Sequence, residues 1–234
     1  MNFIKHYQEF FSKCILLDGI TALLIRIYLG PVFIMAGYNK LNLSDPNISG
    51  ISQIFASDEI VQWFGNTQWG LGLPFPEFLA NLAAWTEFLG GWLLLLGVLT
   101  RLISLPLMIT MLVAAITVHA DNGWFAITPT NSATSVANVP TWLGFDSGKE
   151  SLANSELAGV KLERMRDILA ENGNVDWLYQ QGNIVILNNG IEFATTYFIL
   201  LLALLLIGPG RFTSIDHYLY TYWIKPKLSP SVIT

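Results

Sequence analysis

Four stretches of this chain, Gly19–Asn39, Phe78–Gly97, Arg101–Ala120 and Gly190–Gly208, are almost uninterruptedly apolar. About 20 such residues cross the hydrocarbon core of a bilayer as a helix. Each stretch contains or ends beside an ionisable residue, notably Arg26, Glu87, His119 and Glu192. A charge inside such a helix costs at least ~2.5 kcal/mol on insertion scales, so it turns to the bundle interior and is paired or functional. The pattern predicts an all-α integral membrane fold, a four-transmembrane-helix bundle with a long, partly helical outer loop between the third and fourth helices. Residues 1–234 then form one membrane domain, with 121–189 as an insertion inside it.

Composition supports that class. With 53% hydrophobic and only 12% charged residues, the chain is too apolar for an ordinary soluble domain. A net charge of -5 argues against nucleic-acid binding. The single cysteine, Cys14, excludes an internal disulfide and a dithiol redox centre. Lys5 and Lys13 precede the first apolar stretch, as in a signal peptide. That stretch is too long for a signal peptide and ends at Gly37-Tyr38-Asn39-Lys40 without a small-x-small cleavage site, so it reads as a retained helix.

Orientation follows from Lys and Arg near the span ends. Placing both termini in the cytoplasm puts Lys5, Lys13, Arg101, Arg211, Lys225 and Lys227 inside, and leaves only Lys40 close to a span outside. Loops 40–77 and 121–189 then lie outside. The run Tyr218, Tyr220, Tyr222, Trp223, Lys225 reads as an interfacial anchor. Gly97-Val98-Leu99-Thr100-Arg101 leaves room only for a short hairpin, so the second and third helices are antiparallel neighbours. Gly90-Gly91 permits close backbone approach, and Pro31 and Pro106 mark local adjustments inside spans. In the first outer loop, Ser57-Asp58-Glu59 predicts a capped short helix ending at Gly65. In the second, Thr128–Trp142 reads as irregular and Leu152–Ala170 as a helix stopped by Gly173. Ile184–Leu187 reads as a short strand or a buried loop.

Depth brings the ionisable residues into relation. At ~1.5 Å per residue, Arg26 lies roughly 10 Å from the cytoplasmic end of its span and Glu87 roughly 12–14 Å from the outer end of its own. Their long side chains are expected to meet near mid-membrane. Such a pair is either a device that fixes helix register or part of a functional site. Glu87, His119 and Glu192, with Lys40 at the rim, outline a polar pocket in the outer half of the bundle, suited to proton exchange with a small polar or quinonoid ligand. The bland alternative keeps His119 and Glu192 as wet interfacial residues, Glu192 favoured by the helix dipole. His6 and His217 fall on the opposite side from His119, so no pair brackets a haem. There is no zinc or iron–sulfur spacing and no nucleotide-binding glycine motif.

The pattern Arg26-x-x-Leu29-Gly30-x-x-Phe33-x-x-x-Gly37-x-x-Lys40 is followed by Glu87-x-x-Gly90-Gly91-x-x-Leu94-x-x-Gly97-x-x-x-Arg101. Met111-Leu112-Val113-Ala114 then leads to His119, and Gly190-x-Glu192 and Gly208-Pro209-Gly210-Arg211-x-x-x-x-Asp216 flank the last span. In these motifs the chain resembles the DoxX family, which includes the membrane subunit of thiosulfate:quinone oxidoreductase. The resemblance covers all four spans but not the insertion at 128–189. It implies a multi-pass protein of the bacterial cytoplasmic (inner) membrane that exchanges electrons with quinone. A protein partner would supply electrons or substrate. Glu87, His119 and Glu192 would be the catalytic groups, Arg26 and Lys40 would bind the quinone, and no metal would be held. Some members resemble accessory proteins of metal-binding peptide pathways, so a non-catalytic membrane anchor or accessory role stands as the alternative.

Overall fold

The computed structural model describes residues 4–8 and 18–228. Cys14 and Lys13, used above, lie outside the described residues. The described chain is helical, its only β pairings being the isolated bridges Leu41 to Ala56 and Ile127 to Leu187. It divides into two compact units, residues 1–117 with 194–234, and residues 118–193.

The first unit is built on α1 (Asp18–Tyr38), α2 (Asp58–Gly65), α3 (Pro76–Leu96) and α4 (Thr100–Ala114). The segments Gly19–Tyr38, Pro76–Leu96 and Thr100–Asn122 are long and apolar enough to cross a membrane. The fourth apolar helix, Glu192–Ile207, is shorter. One core joins all four: Ala22, Leu29 and Phe33 of α1, Leu94 of α3, Leu107 of α4, and Leu201 and Leu204 of the last helix. Their outer faces carry exposed Leu24, Met35, Leu82, Trp92, Leu105 and Ile109. An apolar exterior around an apolar core is the arrangement that lipid permits and water does not.

Glycine sets the α1–α3 contact. A Cβ on Gly91 would lie 2.6 Å from the Ile34 nitrogen and 2.7 Å from the Gly30 oxygen. A Cβ on Gly37 would lie 2.6 Å from the Ala84 oxygen. The two backbones therefore touch, antiparallel, in one register. The α3–α4 hairpin closes as expected: Gly97 takes φ +69° and its N–H returns to the Leu94 oxygen at 3.0 Å. After Ala114 the helix continues as a π-helical turn, Ala115–His119.

The first outer loop folds back on α3. Ser57 caps α2 through the Ile60 N–H, as its sequence predicts. The Asn81 side chain donates to the Glu77 oxygen at 2.8 Å and accepts from the Ala56 N–H at 2.8 Å. Trp85 donates its indole N–H to the Ile54 oxygen at 2.8 Å.

The second unit contains α5 (Asn138–Trp142), α6 (Asp146–Asn172) and α7 (Val175–Leu178). Helix α6 is longer than the predicted segment at both ends, and Gly173 stops it as expected. Part of the stretch read as irregular is helical, since α5 fits a single turn around Pro140. Ile184–Leu187 forms neither a regular strand nor a buried loop; Val185 and Leu187 are exposed and one bridge holds it. The chain leaves through α8 (Glu192–Ile207) and continues in the first unit with α9 (Ile215–Leu219), a π-helical turn, and α10 (Lys225–Leu228). Tyr218 and Tyr222 stack on this tail with ring centres 6.3 Å apart.

Candidate functional site

Glu87 does not pair with Arg26. Its carboxylate receives Lys40 Nζ in a direct ion pair between α3 and the end of α1. The register explains the correction. Gly30 faces Gly91 and Gly37 faces Ala84, so the α1 residue level with Glu87 is near Ile34. Arg26 lies two turns below that level, about 12 Å along the axis. Lys40 lies beyond the level, in the turn that follows α1, and its side chain reaches back to Glu87. Lys40 Nζ also donates to the Ala36 oxygen at 3.4 Å. The Glu87 side chain is 6% exposed and that of Lys40 is 22%. Residues next to the pair in sequence form a ring cluster, with Phe88 lying 6.4 Å from Tyr38 and 5.9 Å from Trp85, centre to centre. The Lys40 carbonyl accepts from the Ser57 N–H at 2.9 Å, which ties the folded outer loop to this end of α1.

Arg26 serves the other end of the bundle. Its side chain is fully buried, and Nη2 donates to the Thr213 oxygen at 2.6 Å. Its Nε and Nη1 have no hydrogen-bond partner among the described residues. Gly97 leaves room for it, since a Cβ there would collide with Nη1. The compensating charge is Asp216, whose carboxylate accepts from the N–H groups of Leu99 at 2.8 Å and Thr100 at 2.9 Å. Asp216 thus caps the start of α4 from a distant part of the chain. Arg101 closes the matching helix end, its Nη2 donating to the Leu206 oxygen at 3.2 Å. This set was legible only in part. Asp216 and Arg101 sit in the quoted motifs, but nothing local marks a cap supplied from more than a hundred residues away.

His119 and Glu192 belong to one clamp in the second unit. His119 Nδ1 lies 2.8 Å from the Asn189 oxygen, and Glu192 accepts from the Ala126 N–H at 3.0 Å. Between them the backbones of 123–128 and 186–192 bond repeatedly: Gly190 to Phe125 at 3.0 Å, Ile191 to Gly123 at 2.9 Å, and Glu192 to Trp124 at 3.0 Å. Asn188 adds a side-chain bond to the Phe125 oxygen at 3.0 Å. A Cβ on Gly190 would lie 2.5 Å from the Phe125 oxygen, so the close approach depends on glycine. Beside the clamp is an open cleft of about 610 Å³, lined by Asn122, Trp124, Pro140, Glu150, Asn154 and Asn188 among others. Among the described residues no three His, Cys, Asp or Glu side chains group to hold a metal.

Lys40 just past α1, its α3 partner Glu87 and the buried Arg26 of α1 all fall inside a matched region. Residues 21–120 match the DoxX family model. The chain carries a DoxX domain. No curated protein and no solved structure matches it. The DoxX match includes Arg26, Lys40, Glu87 and His119 and ends before the insertion, Glu192 and Asp216. With three candidate spans, the chain is a membrane protein whose residues 21–120 match DoxX.

Proposed function

We propose that this DoxX protein is a quinone-interacting subunit of an oxidoreductase in the bacterial inner membrane. The observation that carries the reading is the Lys40–Glu87 pair, buried beside apolar helices, with the ring cluster Tyr38, Trp85 and Phe88 adjacent in sequence. A quinone needs a donor to one oxygen, a group that exchanges its proton, and flat apolar surfaces for its ring. An ammonium beside a carboxylate supplies the first two, and the aromatic side chains supply the third. Lys40 binds and polarises the quinone oxygen, and Glu87 carries the proton. Arg26, His119 and Glu192 then position the bundle ends and the insertion. The chain has no redox motif of its own, so a protein partner delivers the electrons. In this reading α8 is the fourth span, both termini are cytoplasmic, and 121–189 lies outside.

The test is purification in mild detergent followed by extraction and mass spectrometry of bound quinone. Quinone retained by the parent and lost in Glu87→Gln, at equal membrane abundance, is the expected result. Retention unchanged in both Glu87→Gln and Lys40→Met overturns the reading. A specific observation favours a second one, a non-catalytic anchor or accessory protein: Arg101, Asp216, His119 and Glu192 all bond to backbone. In that case the variants alter membrane abundance and partner capture without touching any quinone content.

A further inference from the structure

The insertion carries a surface that the quinone reading does not use. From Asn122 to Phe145 the sequence has no Asp, Glu, Lys or Arg, although it lies outside the apolar helices. The charges return at Asp146 and continue throughout α6. Within the uncharged stretch, Val136, Val139, Trp142, Leu143 and Phe145 are all exposed, Trp142 by 78% and Leu143 by 71%. Gly144, at φ +88°, turns the chain between Leu143 and Phe145. Solvent-facing apolar side chains gathered this densely, next to a charged helix, mark an interaction surface.

What covers it follows from the chain itself. The base of the insertion is the clamp of 123–128 with 186–192. That base is covalently continuous with the candidate span Thr100–Asn122 on one side and with the apolar helix Glu192–Ile207 on the other. The insertion is therefore entered and left through apolar helices. The uncharged segment stays close to the clamp: Val136, Ala137 and Pro140 share the cleft wall with Asn122, Gly123, Trp124, Phe125 and Asn188. The nearest apolar phase is the bilayer in which the chain is already anchored. Tryptophan, phenylalanine and leucine without accompanying charge are the side chains that settle at the boundary of headgroups and acyl chains.

We propose that the tip Val139–Phe145 of the insertion dips into the lipid interface and holds the insertion down on the membrane. The occupant of the apolar surface is lipid, not a second copy of the chain or a soluble protein. The charged α6 stays in water above it, and the tip is a third attachment point beside the two covalent ones.

The test uses the full chain with Cys14→Ser, carrying a single Trp142→Cys or Leu143→Cys labelled with an environment-sensitive nitrobenzoxadiazole dye. Glu163→Cys on α6 is the aqueous control. The protein is reconstituted into phosphatidylcholine and phosphatidylglycerol vesicles with and without spin-labelled lipids. The expected result is blue-shifted emission at 142 and 143, quenched by lipids labelled near the headgroup and shielded from aqueous iodide, with the opposite behaviour at 163. Two labels guard against one substitution disturbing the turn. Aqueous emission with full iodide quenching at both positions overturns the proposal. So does blue-shifted emission that lipid quenchers leave untouched, and its loss on dilution of protein into excess lipid would identify a second copy as the cover.

Discussion

Replacing Lys40 by methionine leaves Glu87 buried without its partner. The carboxyl escapes by taking up a proton. Breaking a buried pair by removing one partner typically costs ~3–5 kcal/mol, which sets the expected loss. The reverse change, Glu87→Gln, leaves an ammonium on a side chain that is 22% exposed. A lysine so placed turns its head toward water, so the expected loss is smaller, ~1 kcal/mol. Lys40→Met should therefore be the worse variant at neutral pH, and the double variant should lose less than the sum, by roughly 2 kcal/mol.

The pH dependence carries a definite sign. The Lys40→Met deficit arises from a proton that must be bound, so it shrinks as pH falls and grows as pH rises. The comparison is made between pH 5 and pH 8. Glu87→Gln carries no such carboxyl, and its deficit should stay flat over the same window. Stability is read by tryptophan fluorescence during SDS titration of the protein in mild detergent. Additive losses, or a Lys40→Met deficit independent of pH, would refute the argument that the pair is joined and buried.

Gly97→Ala combines a left-handed φ with a collision against Arg26, and should cost about 3 kcal/mol or more in the same titration; adding Arg26→Met should recover part of it. Asp216→Asn keeps one acceptor for the α4 start but removes the charge facing Arg26, so a loss of about 1–2 kcal/mol is expected. Gly190→Ala should spring the clamp, seen as faster proteolysis within 121–189 while the membrane-embedded fragments stay intact. Ser151→Cys, with Cys14→Ser, should react with an impermeant thiol reagent in intact spheroplasts; labelling only after lysis reverses the orientation.

Much of the helical layout was readable because it is written locally. The α3–α4 hairpin follows from Gly97, α2 from Ser57 with two acidic residues behind it, and the end of α6 from Gly173. The fourth apolar stretch forms a helix as read, but it stops at Ile207 before Gly208-Pro209-Gly210 and starts only at Glu192, short of a standard span. Depth counted from the span ends points to the wrong partner for Glu87. Register is fixed instead by Gly30, Gly37, Ala84 and Gly91, where the backbones touch. A count along one helix carries no information about how far its neighbour slides. The caps by Asp216 and Arg101 were invisible for the same reason, since a long-range contact leaves no spacing to detect.

The division of polar groups also bears on which of them are available for chemistry. Arg26, Arg101, Asp216, His119 and Glu192 each bond to backbone, at helix ends or in the clamp. Withdrawing such a bond leaves a main-chain donor or acceptor unsatisfied, which costs about 1–3 kcal/mol in a dry site. A ligand competing for these side chains would have to offset that loss. Lys40 and Glu87 bond to each other across two helices, and a ligand that inserts between them can take over both halves of the bond. The same polarity that makes the pair costly to break one side at a time makes it cheap to exchange as a whole. A buried side-chain pair at the end of α1 is thus a better starting point for binding than the more deeply buried Arg26, whose environment is closed by Gly97, Thr213 and Asp216.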